Sequence, residues 1–535
     1  MNSNVVLREK SECRFELYKV ILVLIFAFCL LLPIGKMLLG ITGNDFGRVF
    51  SQPDIFKIIG NSFTVSLTAT VITVTAAYLL ALCTERVSIK GKSVLGVIML
   101  MPMLIPSISH GMGLVILFGN NGIVKRFLGL NTNIYGFWGI VTGAFLYSFP
   151  VAFIMFRDIM KYENGSPYEA AMVLGISKRR RFTGITLPFL RKPLISIVFS
   201  VFTLIITDYG VPLMVGGKYK TIAVTMYQDV IGQLDFGKGS VYGVILLIPA
   251  VVAFLFDLFN KDKGNAGFIT SPVEPSQSKT AKIFAYIFST AVSIFILLPI
   301  FSFLILGFSR KYPSDMSFSL YNLDRVMSLG GGRYLLNSII IAFFVAAAGM
   351  CIAFITAYFT ARMKKGISKF LHLTAITAMA VPGIVLGLSY AIFFNGSIIY
   401  GTLIILITVN FVHFVASPYL MMYNSLAKIN ENLEEVGKTL GISRFRMIKD
   451  VFLPQSVSTL AEMFLYFFVN SMMTISAVSF LANTSTKPIS LMINQFEAQM
   501  QLGNAGIVSL FILIINLLIH TLTALIKRCV NKARQ

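Results

Sequence analysis

The stretch GQLDFGKG at residues 232–239 comes within one residue of a phosphate-cradling loop. Such a loop needs GxxxxGK followed by Ser or Thr, because that hydroxyl holds Mg2+. Gly239 stands in its place here, and the stretch falls in an expected outer loop, so the match is taken as chance. The sequence has no nucleophile motif and no HExxH. Cys13, Cys29, Cys83, Cys351 and Cys529 are scattered, without metal-ligand spacing, and none lies in an expected outer loop. Neither a disulfide nor a metal site is expected from them. His110 and His413 fall inside apolar runs, with His372 and His520 toward run ends. A lone histidine there more often hydrogen-bonds a neighbouring helix than binds metal. Asp208, in ITDYGVPLMVGG, is a charge inside an apolar run. Such charges are costly and usually face the interior of a bundle. Asp208 either lines a path or satisfies a neighbouring helix near its outer end. Glu462 and Asn470 carry the same two readings, path or interhelical contact. The chain is not expected to be catalytic alone.

The elements that must position these residues are the apolar runs themselves. The chain has 535 residues, is 56% hydrophobic and contains 47 Phe, with a mean hydropathy of +0.79. That is far more apolar than a soluble domain. Twelve runs of about 18 to 26 residues can each cross a hydrocarbon core. They lie near 18–42, 60–82, 94–118, 135–156, 193–215, 241–259, 283–308, 336–360, 370–394, 401–423, 456–481 and 506–526. Backbone groups in lipid must pair within their own segment, so the expected fold is an all-α integral membrane protein of about 12 transmembrane helices. The net charge of +22 does not point to nucleic acid, because alternate loops hold most of the 45 Lys and Arg. That asymmetry is the positive-inside pattern and places both termini in the cytoplasm. Arg8, Lys10, Arg14 and Lys19 precede the first run, which is too long for a signal peptide and lacks a small-residue cleavage site. It is expected to stay as a first helix. Trp138 and the tyrosines near run ends fit an interfacial belt.

Residues 261–281 form the one long polar stretch that reads as a cytoplasmic linker, dividing a first half, 1–260, from a second, 282–535. Matches recur across it in the same order. LLPI occurs at 31–34 and 297–300. Asn61, Ser62, Ala81, Thr84 and Arg86 recur 276 residues on as Asn337, Ser338, Ala357, Thr360 and Arg362. Pro106, Ile108 and Gly111 recur as Pro382, Ile384 and Gly387. EAAMVLGISKRRRFTGITLP at 169–188 recurs, without a gap, as EVGKTLGISRFRMIKDVFLP at 435–454. A six-helix unit has been duplicated, and six is even, so the two copies run parallel about an axis along the membrane normal. A substrate path between the halves is the natural inference.

The last repeat is polar, basic and expected at the inner membrane surface. Glu169 to Leu174 can form a short helix that Gly175 ends in a left-handed conformation. Ser177 is a good N-cap for a second helix. Lys178, Arg179, Arg180 and Arg181 lie in that helix, and Pro188 is expected to end it. Glu435, Gly441, Ser443, Arg444, Arg446 and Pro454 repeat the parts. A connector bound to anionic lipid needs charge but no fixed Glu, Gly and Pro. Docking of a cytoplasmic partner explains all of them.

This segment resembles the EAA loop of type I ABC importer permeases: Glu-Ala-Ala, three residues, Gly, then an apolar residue and Pro. Glu169, Ala170, Ala171, Gly175 and Pro188 fit the pattern. Glu435, Gly441 and Pro454 fit it too, while Val436 and Gly437 replace the two alanines. The resemblance covers about 57–260 and 334–527. It implies that the first short helix of each segment couples to an ATPase. Two copies of a separate ABC ATPase subunit would bind ATP and Mg2+, with no cofactor in this chain, and an extracytoplasmic solute-binding protein would deliver substrate. In this family the fifth helix of each half lines the path, which makes Asp208, Tyr209, Thr474 and Ser476 the path candidates. The fused layout, with TDYGVPLMVGG and TISAVSFL, looks most like permeases for iron(III) or 2-aminoethylphosphonate, near those for polyamines, thiamine and sulfate. A secondary transporter of twelve helices is the rival from another class. It would need coupled charges in several spans and would leave the repeated loops unexplained.

Overall fold

The computed structural model describes residues 15–129, 133–161, 163–260, 273–312 and 314–534. Cys13, Arg8, Lys10, Arg14 and linker residues 261–272 lie outside the described residues. Among the described residues, eight helices are long and apolar enough to cross a membrane unbroken, and four bent pairs bring the number to 12. A two-stranded hairpin, Ser309–Lys311 with Asp315–Phe318, stands in the loop before the eighth span.

Prolines explain the two sharpest bends. The third span turns by 98° between Lys92–Leu104 and Ser107–Leu128, and the ninth by 106° between Ser368–Ala380 and Gly383–Phe393. Ile105 (φ −125°, ψ 150°) and Val381 (φ −107°, ψ 114°) are extended. Each precedes a proline, Pro106 or Pro382, whose ring disfavours a helical residue before it. The paired prolines thus break the same span in both halves.

Three sequence expectations are corrected. The fifth span does not run as one helix over 193–215: it spans Lys178–Ile206, breaks at 207–209 and resumes as Gly210–Val215. The eleventh ends at Met473 rather than near 481, and Thr474 is extended (φ −65°, ψ 136°). Pro188 does not end the basic helix. A π-turn, Phe182–Thr186, precedes it, with Leu187 N–H bonded to the Phe182 carbonyl. The wider turn lets the helix continue past a residue that has no N–H to give. The second half repeats the π-turn at Ile448–Phe452, with Leu453 N–H on the Ile448 carbonyl. There the chain then bends by 75° between Arg444–Gln455 and Val457–Met473.

The Asn-Ser repeat has one structural job in both halves. Ser62 Oγ accepts the Ile222 amide at 2.8 Å, and Ser338 Oγ accepts the Ile489 amide at 2.8 Å. Asn61 Nδ2 donates to the Lys220 carbonyl at 3.1 Å, and Asn337 Nδ2 to those of Ser485 and Lys487 at 3.0 and 3.2 Å. Each pair ties the second helix of its half to the chain that follows the broken fifth span. Ser62→Ala or Ser338→Ala strands a buried amide, which costs about 1–3 kcal/mol. Thermal unfolding of either variant is expected to show a lower Tm than wild type, and an unchanged Tm in both would remove this role.

The first helix of each half packs on the opposite half. Tyr390 Oη donates to the Cys29 carbonyl at 2.6 Å, and Phe26 stacks on Phe411. Lys19, fully buried, donates to the carbonyls of Met363 and Lys365 at 3.0 and 2.8 Å. In the other direction, Pro299 of the seventh span lies where a Cβ on Gly113 would be, 2.5 Å away. Phe295 meets Phe145 there with ring centroids 5.9 Å apart. The two halves are therefore laced together rather than merely abutted.

Candidate functional site

Two groups of residues stand out: the paired EAA-like segments and the paired breaks in the fifth and eleventh spans. In the first segment, helix Ser166–Val173 carries Glu169 in its first turn, where a carboxylate suits the helix dipole. Gly175 follows at φ +68°. Ile176 N–H closes back on the Ala171 carbonyl at 2.9 Å, the six-to-one bond of a Schellman cap. In the second, helix Leu433–Thr439 carries Glu435, Gly441 sits at φ +68°, and Ile442 N–H reaches the Gly437 carbonyl at 2.8 Å. Ser177 and Ser443 both take the extended N-cap conformation, but only Ser443 caps with its side chain, accepting the Arg446 amide at 3.3 Å.

Ala170 and Pro188 are exposed while Ala171 is buried, and Pro454 is exposed. The departure at Gly437 has a local cause: the side chain of Met447 occupies the space that a Cβ there would fill. The residue aligned with Met447 in the first half is Arg181, and the one aligned with Gly437 is Ala171. Both segments expose large apolar side chains beside the turn. Val173 and Leu174 are 88% and 74% exposed, and Leu440 and Phe445 are 68% and 76% exposed. Exposed apolar clusters of this kind mark interaction surfaces.

Arginines at the ends of the second and eighth spans hold these segments. Arg86 pairs with Glu163, and its guanidinium lies 5.2 Å from the Tyr168 ring centroid. Burial and a hydrogen bond to Glu163 push the Tyr168 phenol up to about 12, so it stays a donor at neutral pH. Arg362 pairs with Glu434, donates to the carbonyls of Ile429 and Asn430 at 2.7 and 2.8 Å, and lies over Phe452. Glu163, Tyr168 and Glu434 were not singled out by the sequence. The recurrence of Arg86 as Arg362 was the available signal.

At the first break, Asp208 accepts from Ser107 Oγ at 2.6 Å and from the amides of Gly210 and Val211 at 3.2 and 2.9 Å. It thereby caps the short helix Gly210–Val215. The contact is so close that a Cβ on Gly210 would lie 2.6 Å from Ser107 Oγ. The second half makes the same contact with the residue types exchanged: a Cβ on Gly383 would lie 2.5 Å from Ser476 Oγ. Thr474, aligned with Asp208, offers its carbonyl to Ser490 Oγ at 2.8 Å. Tyr209 reaches across to the other half. Its hydroxyl lies 2.7 Å from Ser479 Oγ and accepts from Asn494 Nδ2 at 3.2 Å, while its ring stacks on Tyr227 at 4.5 Å. Of the four path candidates, Asp208 and Thr474 occupy equivalent positions, while Tyr209 aligns with Ile475 and Ser476 with Gly210. Among the described residues, only Tyr209 of these four is bonded across the halves.

His372 bonds Tyr419 of the tenth span, as expected of a lone histidine. His110 does not fit that expectation: it is fully buried, no neighbouring helix among the described residues bonds either ring nitrogen, and its ring lies 5.9 Å from that of Tyr147. Residues 232–239 run from one helix end to the start of the next, with Gly239 packed on Val230 and Leu388. That is no strand–loop–helix cradle.

The sequence matches the binding-protein-dependent transport system inner membrane component family twice, over residues 73–261 and 349–534. The chain belongs to this family. A transport-system inner membrane component is a membrane permease subunit rather than an enzyme, and the two matches fall on the two repeats. The putative ferric transport system permease protein FbpB 1 of Haemophilus influenzae is 25% identical over 459 residues, covering 82% of this chain and 72% of that protein. The ferric transport system permease protein FbpB of Actinobacillus pleuropneumoniae is 25% identical over 459 residues, covering 82% and 66%. The Fe(3+)-transport system permease protein FbpB 2 of H. influenzae is 21% identical over 500 residues, covering 91% and 93%. This inner membrane component thus matches the third of these relatives nearly end to end and spans 72% and 66% of the first two.

Proposed function

We propose that the chain is the fused double permease of an ATP-driven importer for ferric iron. The observation that carries the ATP-driven part is the pair of Schellman-capped helices, each with a left-handed glycine and an exposed apolar rim. In this reading each helix seats in one copy of an ABC ATPase subunit, so two copies bind, at Glu169 to Pro188 and at Glu435 to Pro454. They bind ATP and Mg2+; this chain does not. Both segments and both termini face the cytoplasm, and an extracytoplasmic solute-binding protein delivers the substrate. Ferric iron is favoured because relatives named for it match most of the chain in fused form. Asp208, Tyr209, Thr474 and Ser476 lie on or beside the path between the halves.

Gentle solubilisation from native membranes, with mass spectrometry of what copurifies, tests the assembly. A P-loop ATPase at two copies per chain is expected, with ATPase activity that a binding protein loaded with iron(III) stimulates. An intact, transporting chain with no ATPase attached would instead favour the secondary transporter. Stimulation by an aminophosphonate or a polyamine but not by iron would keep the assembly and replace the substrate.

A further inference from the structure

Asp208 has no cationic partner within ion-pair distance among the described residues, although it sits inside the membrane-spanning bundle. All three of its hydrogen bonds are donated to it, by Ser107 Oγ and two backbone amides. A carboxylate that only accepts is the arrangement of the charged form. An uncompensated charge there is expensive.

Beside it lies a small cavity, walled on its polar side by Asp208, Ser62, Ser66 and Thr221. It leaves about 10 Å3 for the centre of a water-sized particle, which is room for about one. Thr221 is 4% exposed and its hydroxyl has no partner among the described residues. The fifth span ends at Ile206, which also lines the cavity, so the negative end of that helix points there. The polar wall is a set of hard oxygens with one formal negative charge, and broken spans elsewhere hold small cations in this way. A carried solute is too large for the space.

The second half serves as an internal control. Ile222 on Ser62 matches Ile489 on Ser338, which aligns Ser66 with Ala342 and Thr221 with Pro488. Asp208 aligns with Thr474. Of the four oxygen-bearing side chains around the space, Ser62 is kept as Ser338 and the other three change: two are lost and the carboxylate is replaced by a neutral hydroxyl. Separate packing roles would not require the three to change as a set.

We propose that the cavity binds a small monovalent cation, held by Asp208, Ser66 and Thr221, in the first half alone. It neutralises the carboxylate and braces the break in the fifth span. The inference goes beyond the importer reading and does not depend on which solute is carried.

The test uses the full chain in lipid nanodiscs. Thermal unfolding is followed in sodium, potassium or choline chloride at equal ionic strength. A saturable rise in Tm with sodium or potassium over choline is expected, because a ligand that binds only the folded state stabilises it. Thr221→Val, which keeps the shape, and Ser66→Ala should each raise the half-saturating concentration about tenfold, for the loss of one oxygen ligand. Asp208→Asn should abolish the cation dependence, and if that variant does not fold, Thr221→Val carries the test. Equal Tm in all three salts would overturn the proposal and leave a water in the cavity. So would a cation effect that Thr221→Val and Ser66→Ala do not change. Copurification of the ATPase should be unchanged in Thr221→Val, so the two readings fail separately.

Discussion

Replacing Gly175 and Gly441 together by valine is expected to abolish ATP-driven uptake while leaving the chain in the membrane. Both glycines sit at φ +68°, and a Cβ on either would meet nothing within 4 Å. Crowding is therefore not the cost. The cost lies in the backbone, because the left-handed conformation disfavours an L side chain by about 1–2 kcal/mol, with more for a β-branched one. At two sites that is about 2–4 kcal/mol, or roughly 30- to 1000-fold against the docked shape. The chain relieves the strain by extending the helix past Leu174 and Leu440, and this turns the exposed apolar side chains away from the direction the cap sets. Uptake, membrane content and ATPase attachment are measured in parallel. Asparagine, which tolerates this conformation, should retain much of the activity at both sites. Normal transport by the double valine variant would end the docking reading.

Those two glycines were legible in the sequence because their conformation is local: a helix must stop, and only a few residues stop it that way. The twelve runs were legible for a similar reason, since length and apolarity alone decide whether a helix can cross a bilayer. The breaks within the runs were not. Hydropathy counts Thr207, Asp208 and Tyr209 into the fifth span, whereas the backbone leaves the helix there and Asp208 caps the next one. The π-turns were hidden too, because a proline reads as a stop unless the preceding turn widens. The Ser107–Gly210 and Gly383–Ser476 contacts explain a further blind spot. The duplicated contact survives while the residue types trade places, so a search for identical residues passes over it. In the EAA-like segment, Gly437 lies against Met447 where the first half has Ala171 and Arg181 at the aligned positions, so both residue types differ there as well. Contacts of the first helix with the opposite half join residues such as Cys29 and Tyr390, and no local pattern records them.

Tyr209 was read as a path residue, and its bonds give it a more specific part. Asn494 donates to the Tyr209 hydroxyl, which donates to Ser479 Oγ, which in turn donates to the Ile475 carbonyl. Tyr209 comes from the first half and the other three residues from the second. The link lies at the far end of the fifth span from the EAA-like segment at its start. A solute that passes between the halves must part it, so the chain of bonds biases the molecule toward closure at that end. Tyr209→Phe keeps the stack on Tyr227 and removes the hydroxyl alone. The loss takes an acceptor from Asn494 Nδ2 and the incoming donor from Ser479 Oγ, worth about 1–3 kcal/mol, which shifts the closed-to-open ratio by roughly 5- to 150-fold. ATP hydrolysis without binding protein is expected to rise, and uptake per ATP to fall. Ser479→Ala should act in the same direction. The two changes together should cost less than their sum, as expected for residues that share one bond. Unchanged basal hydrolysis in Tyr209→Phe, or strict additivity with Ser479→Ala, would show that the link is static packing that transport never parts.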